Sequence, residues 1–162
     1  MRSLTRPNVR PGQLNGHVNE ILFRSSSAAR YATMFLGFFD AATRQLVYSN
    51  AGHHPPLLLG ANGAQLLKAG GLPIGLFPEA TFEEGHQSLA SGDLLMLFTD
   101  GVIEQPNDAS EEYGEVRLTG LLREHRERAL SEIVDRVLGD LEQWSQGTEA
   151  HDDVTLVLAR VR

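Results

Sequence analysis

What most constrains this chain is a succession of short apolar runs joined by turns too tight to hold a helix. Leu57–Leu59 and Gln65–Leu67 flank Gly60–Ala64, which contains Asn62-Gly63, a strong hairpin signal. Tyr31–Phe39 reads YATMFLGFF, apolar at both alternating sets of positions. That pattern predicts a strand covered on both faces. Asp40–Gln45 predicts a turn, and Leu46–Ser49 a second strand completing a hairpin. Leu94–Thr99 predicts a short buried strand. Val154–Val161 predicts a last one, burying Val154, Leu156, Leu158 and either Ala159 or Val161. Gly70–Pro78 reads as a Gly/Pro loop, and Glu104–Glu115 as a polar, mobile one.

Three segments change period. Leu14, Val18, Ile21 and Leu22 recur at helical spacing, so Gln13–Arg24 is expected to be an amphipathic helix ended by Ser25–Ser27. Leu118–His125 predicts a short helix. Leu130, Ile133, Val134, Val137, Leu138, Leu141 and Trp144 share one face of a longer helix, with Ser131 as its N-cap and Gly147 at its end. Residues 1–12 read as an irregular entry segment and 13–162 as one domain. Hairpin links favour antiparallel sheet, and the amphipathic helices must cover it. The expected class is α+β.

Composition narrows the function. The 162 residues carry a formal charge of −7, which argues against nucleic acid as a partner, since phosphate contacts need clustered Lys and Arg. There is no cysteine, so disulfides and thiolate metal sites are excluded. No apolar run approaches the ~20 residues of a membrane span, and the N-terminus lacks a signal-peptide core. The expectation is a cytoplasmic protein without a membrane partner.

The candidate chemistry is acidic. Asp100 directly follows one predicted strand and precedes Gly101, while Asp152 and Asp153 directly precede another. Side by side and antiparallel, the two strands would bring these acids to one sheet edge. Mg²⁺ and Mn²⁺ favour such carboxylate oxygens. Gly101 would permit a sharp turn that aims Asp100. Singly, each acid is more often a turn residue than a ligand, because Asp-Gly is a common turn dipeptide and Asp before a strand is routine. A second cluster, Asn50-Ala51-Gly52-His53-His54-Pro55-Pro56, reads as a tight turn. Adjacent histidines on a strand face opposite ways, which argues against a shared zinc. His53 could bond a carboxylate or phosphate at a site's margin, or pack within its loop; His151 is equally ambiguous.

The motifs occur in a fixed order: YATMFLGFFD, LVYSNAGHHPPLLL, GLPIGLF, GDLLMLFTDGVIE, EEYGEVRL, DDVTLVLARV. This set closely resembles the bacterial branch of the protein phosphatase 2C-like family, the stage II sporulation protein E type, over roughly residues 13–162. The resemblance implies an antiparallel β-sandwich flanked by helices and a phosphatase acting on phosphoserine or phosphothreonine of partner proteins. It implies two Mn²⁺ or Mg²⁺ ions that activate a water for direct attack on phosphorus. By position in the motifs, Asp100 and Asp152 would be the catalytic metal ligands. Asp153 would be an outer-shell acid or occasional ligand, and Gly101 part of the Asp100 turn. Asn50, Gly52 and His53 would form a supporting turn or the site's margin. By analogy the partner would be a phosphorylated regulatory protein of the anti-sigma-factor antagonist type.

The chain departs from the family pattern in one respect. The family has further ligands in an N-terminal Asp-rich strand motif and a Gly-His-Gly-like turn. Neither is found here, and His17 follows Gly16 inside a predicted helix. The expectation is an N-terminally incomplete domain with weak or no turnover by itself, and with exposed sheet edges that invite a homodimer. The alternatives are a non-catalytic regulatory module of the same fold and a β-rich domain whose acids are only turn residues.

Overall fold

The computed structural model describes residues 9–25, 30–146, 148 and 152–162. The element order is α1 (Pro11–Ser25), β1 (Met34–Asp40), β2 (Gln45–Ala51), β3 (Leu57–Gly60), β4 (Gly63–Leu66), β5 (Gly70–Gly71), β6 (Gly85–Ser88), β7 (Leu94–Phe98), α2 (Asp100–Ile103), α3 (Gly114–His125), α4 (Leu130–Ser145) and β8 (Leu156–Arg160). This is the expected α+β class, with two mainly antiparallel sheets. The chain divides into two compact units, Met1–His53 with Leu67–Leu89, and His54–Leu66 with Ala90–Arg162.

In the first unit, β1 and β2 form the expected hairpin, registered from Met34↔Ala51 to Asp40↔Gln45. Asp40 shapes the turn: its Oδ1 accepts the Ala42 amide at 2.8 Å. That bond holds the Asp40 carboxyl below its usual range. β2 also pairs antiparallel with β6 and parallel with the two-residue β5. Neither β5 nor β6 is evident in the apolar pattern. The parallel contact needs glycine, because a Cβ on Gly70 would sit 1.7 Å from the Asn50 carbonyl oxygen.

Two expectations fail in this unit. β1 is not covered on both faces. Among the described residues it pairs only with β2, and Phe38 and Phe39 are 41% and 46% exposed. The helix α1 is rotated from its predicted face. It buries Pro11, Gly12, Asn15 and Asn19, while Val18 and Ile21 are exposed. Hydrogen bonds offset the desolvation of these amides: Asn15 Nδ2 donates to the Ser49 carbonyl at 3.2 Å. Asn19 Nδ2 donates to the Phe77 carbonyl at 2.9 Å, and its Oδ1 accepts the Gly75 amide at 2.7 Å. The helix also starts earlier than predicted, at Pro11, a residue favoured in a first turn. There Glu84 accepts the Gly12 amide at 3.0 Å and pairs with Arg10 at 2.8 Å. A carboxylate at that end suits the helix dipole.

In the second unit the sheet order is β4-β3-β7-β8, antiparallel throughout. The β3–β4 hairpin is as predicted, with Gly60 paired to Gly63 so that Asn62 and Gly63 end the loop. The core layers Leu57, Leu59, Leu94, Met96 and Phe98 of the sheet against Leu118 and Leu122 of α3 and Ile133, Val137 and Leu141 of α4. Val154, Leu156 and Leu158 pack on the same core, as their alternation predicted. The N-cap of α4 is Ala129, not Ser131, and its last turn closes on Gln146 in the left-handed region (φ 45°). Gly147, Ser26, Ser27 and His151 lie outside the described residues.

The segment between α2 and α3 is not loose. Asn107 Oδ1 accepts the amides of Ala109 and Glu111, both at 2.9 Å, and Pro106 bridges Glu112. The Gln105 carbonyl accepts the Tyr113 amide at 3.0 Å and Trp144 Nε1 at 3.2 Å. Arg117 grips Asp140 with two bonds of 2.7 and 2.8 Å, and Tyr113 donates to Asp140 at 2.7 Å. The Arg117 bonds keep the Asp140 carboxyl below its usual range. Burial, then the bond to Asp140, pushes the Tyr113 phenol up.

Candidate metal centre

The register of β7 against β8 decides where the acids go. Phe98 lies opposite Leu156, so the C-terminal end of β7 meets the N-terminal end of β8. Thr99 fastens the junction. Its amide donates to the Thr155 carbonyl at 3.0 Å, and its hydroxyl donates to the Asp153 carbonyl at 2.8 Å. The same hydroxyl accepts the Thr155 amide at 3.0 Å. The strand side chain just before Asp100 is thereby tied to the residues just after Asp152.

Gly101 closes the corner, though not by the expected turn. It lies inside α2 and its φ is not positive. What requires glycine is close approach: a Cβ there would lie 2.8 Å from the Asp153 carbonyl oxygen and 3.2 Å from that of Asp152. Bare Cα lets the two backbone segments touch. Asp100, Gly101, Asp152 and Asp153 therefore share one edge of the second unit.

The electrostatics of this edge are one-sided. Asp100 Oδ1 accepts the Gly101 amide at 3.1 Å, and Asp152 Oδ1 accepts the Asp153 amide at 2.7 Å. Among the described residues, no Lys, Arg or His pairs with Asp100, Asp152 or Asp153. Unneutralised carboxylates are the donor type that Mg²⁺ or Mn²⁺ takes, with waters completing the shell. In donor chemistry the residues fit such an ion. As they stand, no three His, Asp or Glu among the described residues gather about one point.

Beside Asp152 a cavity of about 360 Å³ opens, lined by Gly101, Glu104, Gln105, Pro106, Ser110 and Glu112 as well. Glu104, Gln105 and Glu112 were not singled out from the sequence. The only sequence signal was their place in a polar stretch after Asp100, which is also how a solvated loop reads.

The other predicted cluster belongs to the first unit up to His53. Asn50 is buried, and it builds the turn with both ends of its amide. Its Oδ1 accepts the His53 amide and its Nδ2 donates to the His53 carbonyl, each at 2.8 Å. Gly52 takes φ 69°, and a Cβ there would lie 2.5 Å from the Pro73 ring. Asn50 and Gly52 are accounted for by the turn they make. The second histidine falls in the other unit: the His54 ring lies 4.8 Å from that of Phe98, tilted by 43°. Its Nε2 is 3.4 Å from Glu115 Oε1 but without hydrogen-bond geometry. His17 lies exposed on α1.

The family described as Stage II sporulation protein E (SpoIIE) matches residues 1–162. The chain is 29% identical over 165 residues to "Phosphoserine phosphatase RsbU" of Bacillus subtilis, covering 99% of this chain and 48% of that protein. It is 32% identical over 130 residues to "Protein IcfG" of Synechocystis, covering 80% of this chain and 20% of that protein. The chain thus spans half or less of the length of these curated relatives. Among solved structures, the SiaA-PP2C domain of Pseudomonas aeruginosa superposes with TM-score 0.83 at 23% identity, over 93% of this chain and 61% of that one. The RsbU and RsbW domains of a Mycobacterium tuberculosis protein, Rv1364c, give TM-score 0.68 at 29% identity, over 88% of this chain and 40% of that one. A manganese-presoaked SpoIIE phosphatase domain of Bacillus subtilis gives 0.65 at 22%, over 96% of this chain and 67% of that one. The fold is that of these phosphatase domains, and the chain belongs to the stage II sporulation protein E (SpoIIE) family.

Proposed function

We propose that the protein containing this chain is a metal-dependent serine/threonine phosphatase that hydrolyses phosphoserine or phosphothreonine of a regulatory partner protein. The observation that carries this is the corner where β7 meets β8: Asp100 and Asp152 come to one sheet edge, in a chain whose relatives include a named phosphoserine phosphatase. Asp100 and Asp152 would hold Mn²⁺ or Mg²⁺, with Asp153 beside them. When bound, the ions supply Lewis acidity and a water acidic enough to act near neutral pH. The protein's own part is positional. The Thr99 hydroxyl fixes the Asp152–Asp153 backbone against β7, and Gly101 allows that backbone within contact distance of α2. With no cysteine in the sequence, this chain itself supplies no thiol nucleophile.

A regulatory protein is the substrate class the relatives favour, since Rv1364c joins RsbU and RsbW domains in one chain. An anti-sigma-factor antagonist in the cytoplasm is the specific form proposed. No helix among the described residues is long and apolar enough to cross a membrane.

The test is phosphate release from a phosphoserine protein by the full-length protein with Mn²⁺, against Asp100→Asn. We expect a loss of at least about a hundredfold, at or beyond what outer-shell changes cost. Unchanged activity would sink the mechanism. One observation favours a second reading, a non-catalytic regulatory module: the absence of three converging ligands among the described residues. Calorimetry separates the two, because tight binding of two Mn²⁺ ions contradicts a module without metal.

A further inference from the structure

Gln105 is the one buried polar residue that borders the acidic corner without a structural task for its side chain. It is 3% exposed. Its carbonyl is fully used, accepting from Tyr113 and Trp144. Its side-chain amide makes no hydrogen bond among the described residues, yet it lines the cavity beside Asp152. The amide reaches the cavity and is not sealed off from solvent, so a polar group of a ligand can bond it in place of water. The other polar lining groups are Glu104, Glu112 and Ser110. No cation pairs with either glutamate among the described residues.

The chemistry of the lining selects its occupant. Glu104 and Glu112, which the metal reading does not use, make the cavity negative and so disfavour an anion. A single metal ion is a poor match, because these carboxylates do not converge on one point. A planar guanidinium or a long ammonium side chain spans separated acceptors, and the Gln105 carboxamide oxygen is one more acceptor for its N–H groups. The wall is also preformed. Asn107 fixes 107–111: its Oδ1 accepts the amides of Ala109 and Glu111, its own amide donates to the Glu111 carbonyl and its carbonyl accepts the Ser110 amide, while Tyr113 and Trp144 donate to the Gln105 carbonyl. Little ordering cost therefore remains on binding.

We propose that this cavity receives an Arg or Lys side chain of the phosphoprotein, close in sequence to its phosphoserine, and so selects substrates by a basic flanking residue. This rests on the phosphatase reading of Asp152's neighbourhood but concerns different atoms. Glu104, Glu112 and Gln105 would be specificity residues, acting on substrate affinity.

The experiment uses the full-length protein with Mn²⁺ and two matched peptide sets. One carries phosphoserine; the other carries a non-hydrolysable phosphonate analogue. In each, a single Arg, Ala or Glu is walked from three residues before to three after the phosphorylated position. Binding of the phosphonate set tests the cavity, and hydrolysis of the phosphoserine set tests the phosphatase reading. At one position Arg should bind about fivefold tighter than Ala, the size of one partly exposed ion pair, and Glu weaker than Ala. The Arg-to-Ala ratio should fall towards one in Glu112→Gln and shrink in high salt. Ser110→Asp, at a positive φ that Asp tolerates, should raise it. Each ratio is internal to its variant, so a general loss of folding cancels. No preference at any position, or a preference untouched by Glu112→Gln and Ser110→Asp, overturns the proposal. A preference without hydrolysis would instead count against the phosphatase reading alone.

Discussion

The two units solve the same problem with opposite materials. The second unit stacks leucine, methionine and phenylalanine of a four-stranded sheet against leucine, isoleucine and valine of α3 and α4. The first unit docks its helix through the side chains of Asn15 and Asn19, and leaves aromatic residues of β1 exposed. Apolar packing is tolerant: it needs volume and a matching face. Amide docking is directional, and each buried amide must meet its partner or cost free energy. In the first unit that condition is not fully met, since Asn15 Oδ1 and the Ser49 hydroxyl are buried without partners among the described residues. The acidic corner sits in the unit with the continuous apolar core, where β7 and β8 are held rigidly in register.

This contrast yields three graded expectations. The largest is in the second unit. Ile133 is fully buried between α4 and the sheet, and Ile133→Ala should cost about 2–5 kcal/mol in urea unfolding. A cost below about 1 kcal/mol would mean the apolar layer is not what holds that unit. The next is in the first unit. Asn19→Ala strands the Gly75 amide and should cost about 1–3 kcal/mol. Asn19→Leu, which adds apolar volume but no acceptor, should not rescue it. If it does, the first unit is apolar in its energetics after all.

The smallest concerns the polar clamp on the second unit. Asp140→Asn should cost at most about 1 kcal/mol, because the Arg117 side chain is 41% exposed and solvent screens the pair. Its pH dependence has a definite sign. The Arg117 bonds lower the folded pKa of Asp140. Its contribution is therefore complete above the pH where an unfolded Asp titrates, near ~3.9. It fades as pH falls through the lower folded value. Acid unfolding of the wild type should show this loss, and Asp140→Asn should lack it.

The same contrast explains what the sequence made legible. Strands and helices of the second unit announce themselves by periodicity: Leu57–Leu59, Leu94–Thr99 and the Leu130–Trp144 face were all readable, because burial there is apolar. The α1 face was misread because asparagine in a helix looks like surface. Only the carbonyls of Ser49 and Phe77 and the Gly75 amide, distant in sequence, make it interior. The exposure of β1 was invisible for a related reason. An apolar run shows what a strand could bury, not what lies beside it. In the site, Asp100 and Asp152 were legible as residues flanking two strands, and antiparallel pairing was a sound way to join them. The role of Gly101 was not legible, because close approach to the Asp152–Asp153 backbone leaves no trace in local sequence. Neither was the cavity wall, since Gln105 and Glu112 are ordinary polar residues until Tyr113 and Trp144 fix the chain between them.

On the proposed reading, the ends of β7 and β8 form one metal-holding corner. A calorimetric Mn²⁺ titration of the full-length protein and of Asp100→Asn, Asp152→Asn and the double variant tests it most directly. If the two acids act on a shared site, each single change should weaken binding by at least about tenfold. The double change should then be far from additive, within about twofold of the worse single variant. Wild-type Mn²⁺ affinity in either single variant, or cleanly additive losses, would contradict it.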